Sequence, residues 1–367
     1  MRSAPVRALS LTLLVTVLWA GEHASMGYID TTGKVVIAPL FTTAEGFSEG
    51  RARVTLADGT RAFIDRTGKT IFKPKYTYGN PHEYHAGLVW VQPDQFVHCR
   101  DSLGRSFFSD SFYNAGDFRE GLCAVNTRDS RNGAALGHWG FIDRSGDMVI
   151  PARFTEAAGY SQGFFEGLAS VAVGGEVVHE RESYVTGRRW GYIDHSGEMV
   201  IEARYDMAHD FHFGRALVKN GNNYAFINHA GERVIELGKH SATEFSEGLC
   251  AAEDSSGKQG YIDTLGRMVI PAQYYSAGEF HYGRALVRLN WNAKYGFIDP
   301  SGKVVIPLQY ENAHEFSNGR AVIETRAADG ATRSGFIDRQ GKLIIPATYW
   351  YAGNFSEGLA PVMFPQK

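Results

Sequence analysis

The chain has 367 residues, with 37 Lys and Arg against 40 Asp and Glu, for a formal net charge of −3. That balance leaves no basic footprint for nucleic acid, and a hydrophobic content of 44% excludes a disordered chain. Three cysteines exclude a disulfide-built scaffold, while 42 glycines beside 13% aromatics point to short strands joined by tight turns.

Residues 1–25 read as a secretory signal peptide or N-terminal extension. Arg2 and Arg7 precede an uncharged run from Ala8 to Ala20, and the polar Gly21 to Ser25 follows. The run is too short to span a bilayer comfortably. This layout predicts an exported protein, periplasmic or extracellular, with no integral membrane span once the segment is cleaved. Met26 stands directly before the first repeat, and initiation there would make the protein cytoplasmic.

From Gly27 the sequence repeats itself to its end. In chain order the copies open at Gly27, Ala62, His98, Gly140, Gly191, Ala225, Gly260, Gly296 and Gly335. Gly335 to Asp338 reads as a first strand, and Asp338-Arg-Gln-Gly341 as a turn. Lys342 to Ile345 reads as a returning second strand that Pro346 stops. A connector with Tyr349, Ala352 and Phe355 places aromatics in the core. Gly358 then opens a third strand, Leu359 to Val362. The turn glycine recurs in all nine copies, at Gly33, Gly68, Gly104, Gly146, Gly197, Gly231, Gly266, Gly302 and Gly341. A period near 36 residues means a repeat architecture, not independent domains. Residues 26–367 therefore read as a single array of nine tandem antiparallel β-meander repeats.

The residue entering the third strand is small in nearly every copy: Ala52, Cys123, Ala169, Ala216, Cys250, Ala285, Ala321 and Ala360, with Val89 the exception. Small residues there imply close approach of a neighbouring sheet. Repeat one lacks a preceding third strand, and the last third strand lacks a following hairpin. The two ends are complementary, so the expected fold is all-β, stacked as a propeller-like ring without unpaired edges. The alternative is an open superhelical β-repeat array.

Trp139-Gly-Phe-Ile-Asp-x-x-Gly146 and Trp190-Gly-Tyr-Ile-Asp-x-x-Gly197, with the later Ala-x-x-Phe-x-x-Gly block, resemble the bacterial WG-repeat (KWG) family. The resemblance covers nearly everything after residue 26. Trp precedes Gly in only two copies, and Gln259, Tyr295 and Ser334 stand there in others. The resemblance implies a β-rich tandem array, often exported, with no general enzymatic activity and no catalytic residues to carry over.

The repeated acids, Asp30, Asp65, Asp101, Asp143, Asp194, Asp263, Asp299 and Asp338, with Asn228 in the sixth copy, each stand alone in a turn. They lack the dense ligand run of a calcium loop and read as turn formers. His82 and His85, and His209 and His212, are three apart but match no zinc spacing. Cys123 and Cys250 fill the small slot, and Cys99 an aromatic one, as buried apolar residues. No catalytic residue, metal ligand or cofactor site is assigned.

Three insertions fall between a third strand and the next first strand: Asn126 to His138, the stretch from Val171 to Trp190, and Glu324 to Ser334. They should emerge on one rim, where repeat arrays commonly bind. The expected function is a non-enzymatic binding or scaffold protein of the bacterial envelope or exterior, meeting a protein or wall-polymer partner. The alternative is a carbohydrate-binding or cell-wall polymer-binding module in which exposed Tyr275, Trp291 and Trp350 stack on sugar rings. Exposed aromatics at repeat-equivalent positions would favour it. An enzyme would need converging acids or histidines, and Glu180, Glu182 and His195 are the cluster in view.

Overall fold

The computed structural model describes residues 26–74, 84, 87–92, 96–127, 137–157, 163–179 and 183–365. Residues 1–25, His82, His85, Glu180 and Glu182 lie outside the described residues. Among the described residues all elements formed are β-strands, and they pair antiparallel in small sheets. Most sheets take strands from two successive repeats, and the largest joins strands of the ninth, first and second copies. In one example, Glu156–Ala157 and Ala169–Val173 come from the fourth copy, and Arg189–Ile193 and Met199–Tyr205 from the fifth. The third, first and second strands thus form the expected meander.

The connector contributes a further short strand where the sequence predicts only turns. Glu156 and Ala157 pair with Ala172 and Val171, and Asn312 and Ala313 with Glu324 and Ile323. Two residues carry no periodicity of their own, so only the tertiary pairing reveals them.

Proline does not stop the second strand. Leu343–Tyr349 runs through Pro346, as Met148–Phe154 runs through Pro151 and Met268–Tyr274 through Pro271. This strand is a sheet edge in its local order, and its register slips: Phe336 pairs with Ile345, but Ser334 with Tyr349. Pro346 occupies the resulting bulge, where no ladder hydrogen bond is demanded of it. The bulge presses on the glycine of the first strand. A Cβ at Gly335 would lie 2.7 Å from both the Ile345 carbonyl oxygen and the Ala347 amide. That clash is the physical reason for glycine at this point in the repeat.

The linking and third strands meet in a two-residue hairpin. Ser48 and Arg51 exchange backbone hydrogen bonds of 2.8 and 3.0 Å, with Glu49 and Gly50 both at positive φ. This is the turn whose twist suits a hairpin. Glu49, Glu120, Glu166, Phe213, Glu247, Tyr282, Asn318 and Glu357 all take this left-handed conformation. The cost at the glutamates is offset across repeats, because the carboxylate accepts from the next tip glycine. Gly167 donates to Glu120 at 3.1 Å, Gly214 to Glu166 at 2.9 Å, and Gly283 to Glu247 at 2.8 Å.

Core packing repeats in the same way. First-strand aromatics sit edge-on against connector phenylalanines, with Tyr192 and Phe211 5.0 Å apart and Tyr261 and Phe280 4.8 Å apart. The small entry residues are buried, from Ala52 to Ala360. Turn glycines pack on the second strand of the preceding copy: Gly197 faces Ile150, Gly231 faces Ile201, and Gly302 faces Ile270. The ends of the repeat region join this pattern. Met26–Asp30 pairs with Leu359–Met363 at five consecutive positions, and Gly33 faces Ile345.

Candidate functional site

The three insertions do leave their sheets at equivalent points. Glu176–His179 and Ser183–Thr186 form an extra hairpin between the strands Ala169–Val173 and Arg189–Ile193. The last insertion lengthens its own ladder, out to Arg326 opposite Thr332. The first begins from the pair Thr127 and His138, and residues 128–136 lie outside the described residues. In an antiparallel sheet these loops stand at the end opposite the Asp-x-x-Gly turns.

A cavity of about 440 Å³ opens on this face, lined by Glu156, Arg188, Trp190, Asp206, Met207, Ala208 and Lys219. That volume is in the range of small-molecule sites. Arg188 at the hairpin base is 2.8 Å from Glu156, and Arg189 pairs with Asp206. Trp190, from one of the two Trp-Gly motifs, is buried and forms part of the wall.

Exposed aromatics occur at one repeated position on the same face. Tyr113, Tyr275 and Trp350 each follow the second strand, and each amide donates at 2.9 Å to a third strand, to Asn126, Arg288 and Met363 respectively. Their exposures are 41%, 43% and 47%. Trp291, in the loop after the third strand, is 67% exposed. The sequence named Tyr275, Trp291 and Trp350, and all three are exposed. It missed Tyr113, which stands in a degenerate copy. Arg333 lies over Trp350 at 3.6 Å, and Arg288 is about 5 Å from each of Tyr275, Trp291 and Tyr295.

Acids and histidines converge elsewhere, in the connectors. Glu244 meets His209 Nδ1 at 2.9 Å and His212 Nε2 at 3.2 Å, and Glu315 meets His281 Nε2 at 3.1 Å. Burial pushes the Glu244 carboxyl up, but hydrogen bonds and charge from the two imidazoles outweigh it and bring it down to about 2. The hydrogen bond to Glu244 raises His212. Burial, with Glu315 and Glu244 nearby, raises Glu279. The signal was present in sequence: an acid stands directly before the connector phenylalanine in Glu244-Phe245, Glu279-Phe280 and Glu315-Phe316. Among the described residues, no three His, Cys, Asp or Glu side chains form a metal-binding group.

The turn acids act within their turns. Asp194 Oδ1 accepts from the amides of Ser196 and Glu198 at 2.9 and 3.1 Å, and Asn228 makes the same pair of bonds in its copy. Those hydrogen bonds, led by the Ser196 hydroxyl, lower the Asp194 pKa. Cys99, Cys123 and Cys250 are buried free thiols, and burial pushes Cys99 and Cys250 up to about 12. His195 stacks on Phe164 at 4.3 Å and meets Glu120 at 3.3 Å. It stands in the Asp194 to Gly197 turn, at the far end of Arg189–Ile193 from the hairpin, and the other two members of the cluster in view, Glu180 and Glu182, lie outside the described residues.

Among the described residues, no helix is long and apolar enough to cross a membrane. None of the curated proteins matches the chain. Among solved structures, the chain is similar to the computationally designed Ika8 protein, at 13% identity and a TM-score of 0.42, covering 89% of this chain and 96% of that one. It is also similar to apo AztD from Citrobacter koseri, at 9% identity and a TM-score of 0.40, covering 76% and 93%. BamB from Moraxella catarrhalis gives 11% identity and a TM-score of 0.37, covering 84% and 91%. The WG containing repeat model matches residues 26–59, 62–92, 139–176, 190–224, 260–290, 295–326 and 335–364. The copies opening at His98 and Ala225 fall outside those matches, yet each forms strands paired as in its neighbours. With more than half of its length matched, the chain belongs to the WG-containing repeat family.

Proposed function

We propose that the nine repeats close as a single propeller-like ring, and that the protein is a non-enzymatic binder of an envelope or extracellular polymer. Closure is supported by the pairing of Met26–Asp30 with Leu359–Met363 and by the Gly33 contact with Ile345, which repeats the contact between every other successive pair of copies. Location outside the cytoplasm rests on the Arg2 to Ala20 layout.

The observation that carries the binding reading is the set of exposed rings at one repeated position, Tyr113, Tyr275 and Trp350, with Trp291 beside Tyr275. Equivalent rings spread over several copies suit a polymer that presents the same unit many times, where linked weak contacts add avidity. Co-sedimentation of the full chain with isolated cell-wall polymer tests this reading. The triple variant Tyr113→Ala, Tyr275→Ala, Trp350→Ala should remain in the supernatant while keeping the parent's circular dichroism. Equal pelleting of parent and variant would defeat it.

A protein partner is the second reading, favoured by the extra hairpin standing beside the cavity at Arg188 and Trp190. In that case removing Glu176 to Arg188 should abolish capture of one stoichiometric protein from envelope extract.

A further inference from the structure

We infer that the loop face of the seventh and eighth copies is a subsite for an acidic saccharide, a sugar unit carrying a carboxylate. This rests on the polymer-binding reading above and specifies its ligand. Two features coincide there. The first is a set of rings at right angles: Tyr275 and Trp291 are 6.0 Å apart with planes at 78°. Trp291, at 67% exposure, offers a large flat surface to solvent, and such a surface suits the C–H face of a pyranose.

The second feature is uncompensated positive charge in a chain of net charge −3. Arg288 stands among Tyr275, Trp291 and Tyr295 and donates from Nη1 to the Trp291 carbonyl oxygen at 3.2 Å. Its Nε is buried without a hydrogen-bond acceptor. Lys258 reaches the same loop, donating from Nζ to the Leu289 carbonyl oxygen at 3.0 Å. Among the described residues, neither cation has a carboxylate within ion-pair distance. The nearby acids are engaged elsewhere: Glu253 accepts from Ser241 at 3.2 Å, and Asp254 Oδ1 from the amides of Ser256 and Lys258. The cations at the position of Lys258 in two other copies are matched, Arg189 by Asp206 and Lys294 by Glu311. At the seventh copy the partner position holds Tyr275, so the carboxylate that other copies supply internally is missing. A uronate would supply it, with its ring on Trp291 and its charge toward Lys258 and Arg288.

Affinity electrophoresis of the full chain tests this, in gels containing polygalacturonate, dextran or poly-L-glutamate. The protein should be retarded by polygalacturonate alone. Trp291→Ala and Lys258→Gln should each weaken that retardation by about tenfold, and Trp291→Phe should restore part of it. Both positions lie in a surface loop or turn, and the thermal midpoint confirms that each variant is folded. Equal retardation by dextran and polygalacturonate would overturn the acidic assignment while leaving the polymer reading intact. Retardation by poly-L-glutamate to the same extent would replace the sugar with an acidic polypeptide. Failure of all three gels, with wall-polymer co-sedimentation retained, would overturn the subsite alone; failure of both assays would remove the polymer reading with it.

Discussion

Substituting Glu244 by Gln separates charge from hydrogen bonding at the junction of two connectors. In the parent, Glu244 accepts from or faces both His209 at 2.9 Å and His212 at 3.2 Å. The carboxyl falls from an ordinary 4.5 to about 2, which sets a ceiling of about 3 kcal/mol for its ionic contribution to stability. The carboxylate is 29% exposed, and its energy is shared with the histidines, so about 2 kcal/mol is the expected size. The sign follows from both partners. A depressed carboxyl stabilises above its unfolded value and loses that contribution as pH falls from about 4.5 toward 2. A raised His212 stabilises below its unfolded value and loses that contribution as pH rises above about 6.5. The pair therefore contributes most between about pH 4.5 and 6.5. Urea unfolding of parent and Glu244→Gln, followed by tryptophan fluorescence at pH 5.5, 7 and 9, reads this directly. The difference should be about 2 kcal/mol at pH 5.5 and less than half of that at pH 9. A difference that is constant across the three pH values would refute the ionic account and leave only packing.

Gly68→Ala should destabilise by about 1–3 kcal/mol more than Gly59→Ala in the same urea assay. Both glycines have φ near +80°, but a Cβ at Gly68 would lie 2.8 Å from Ile37, while Gly59 has open space. Glu357→Ala should cost about 1–2 kcal/mol, since it removes the acceptor of the Gly50 amide at 2.9 Å. Glu357→Gly should cost less in the same measurement, because glycine takes φ 49° freely. Cys99, Cys123 and Cys250 should resist a thiol reagent at pH 8 in the native protein, and all three should react in urea.

Much of this architecture was legible because each repeat writes its turn chemistry openly. Asp194 and Gly197 announce a turn, and the copies around it announce a stack. The bulge was not legible, because Pro346 has the same local appearance as a strand terminator; only the ladder beside it shows that the chain continues. The Glu244 to Glu315 row escaped for a different reason. Its members are common surface types in single copies, and they meet only when successive connectors are laid side by side. The aromatic positions were readable as residue types. The bare cations became visible only in the structure, Lys258 through the absence of the acid that pairs its counterparts and Arg288 through its unpaired Nε among three rings.

The ladder between Met26–Asp30 and Leu359–Met363 also imposes an order of events on a growing chain. One edge of Met26–Asp30 has to wait until more than three hundred further residues have been synthesised before its partner exists. Throughout that interval the nascent protein carries an open template for strand addition. Contacts between distant parts of a chain form slowly, so this pairing step comes late and involves a strand made long before its partner. A helper that shields this edge during synthesis, or a cyclically permuted gene that places both strands in one early hairpin, would shorten the interval of exposure.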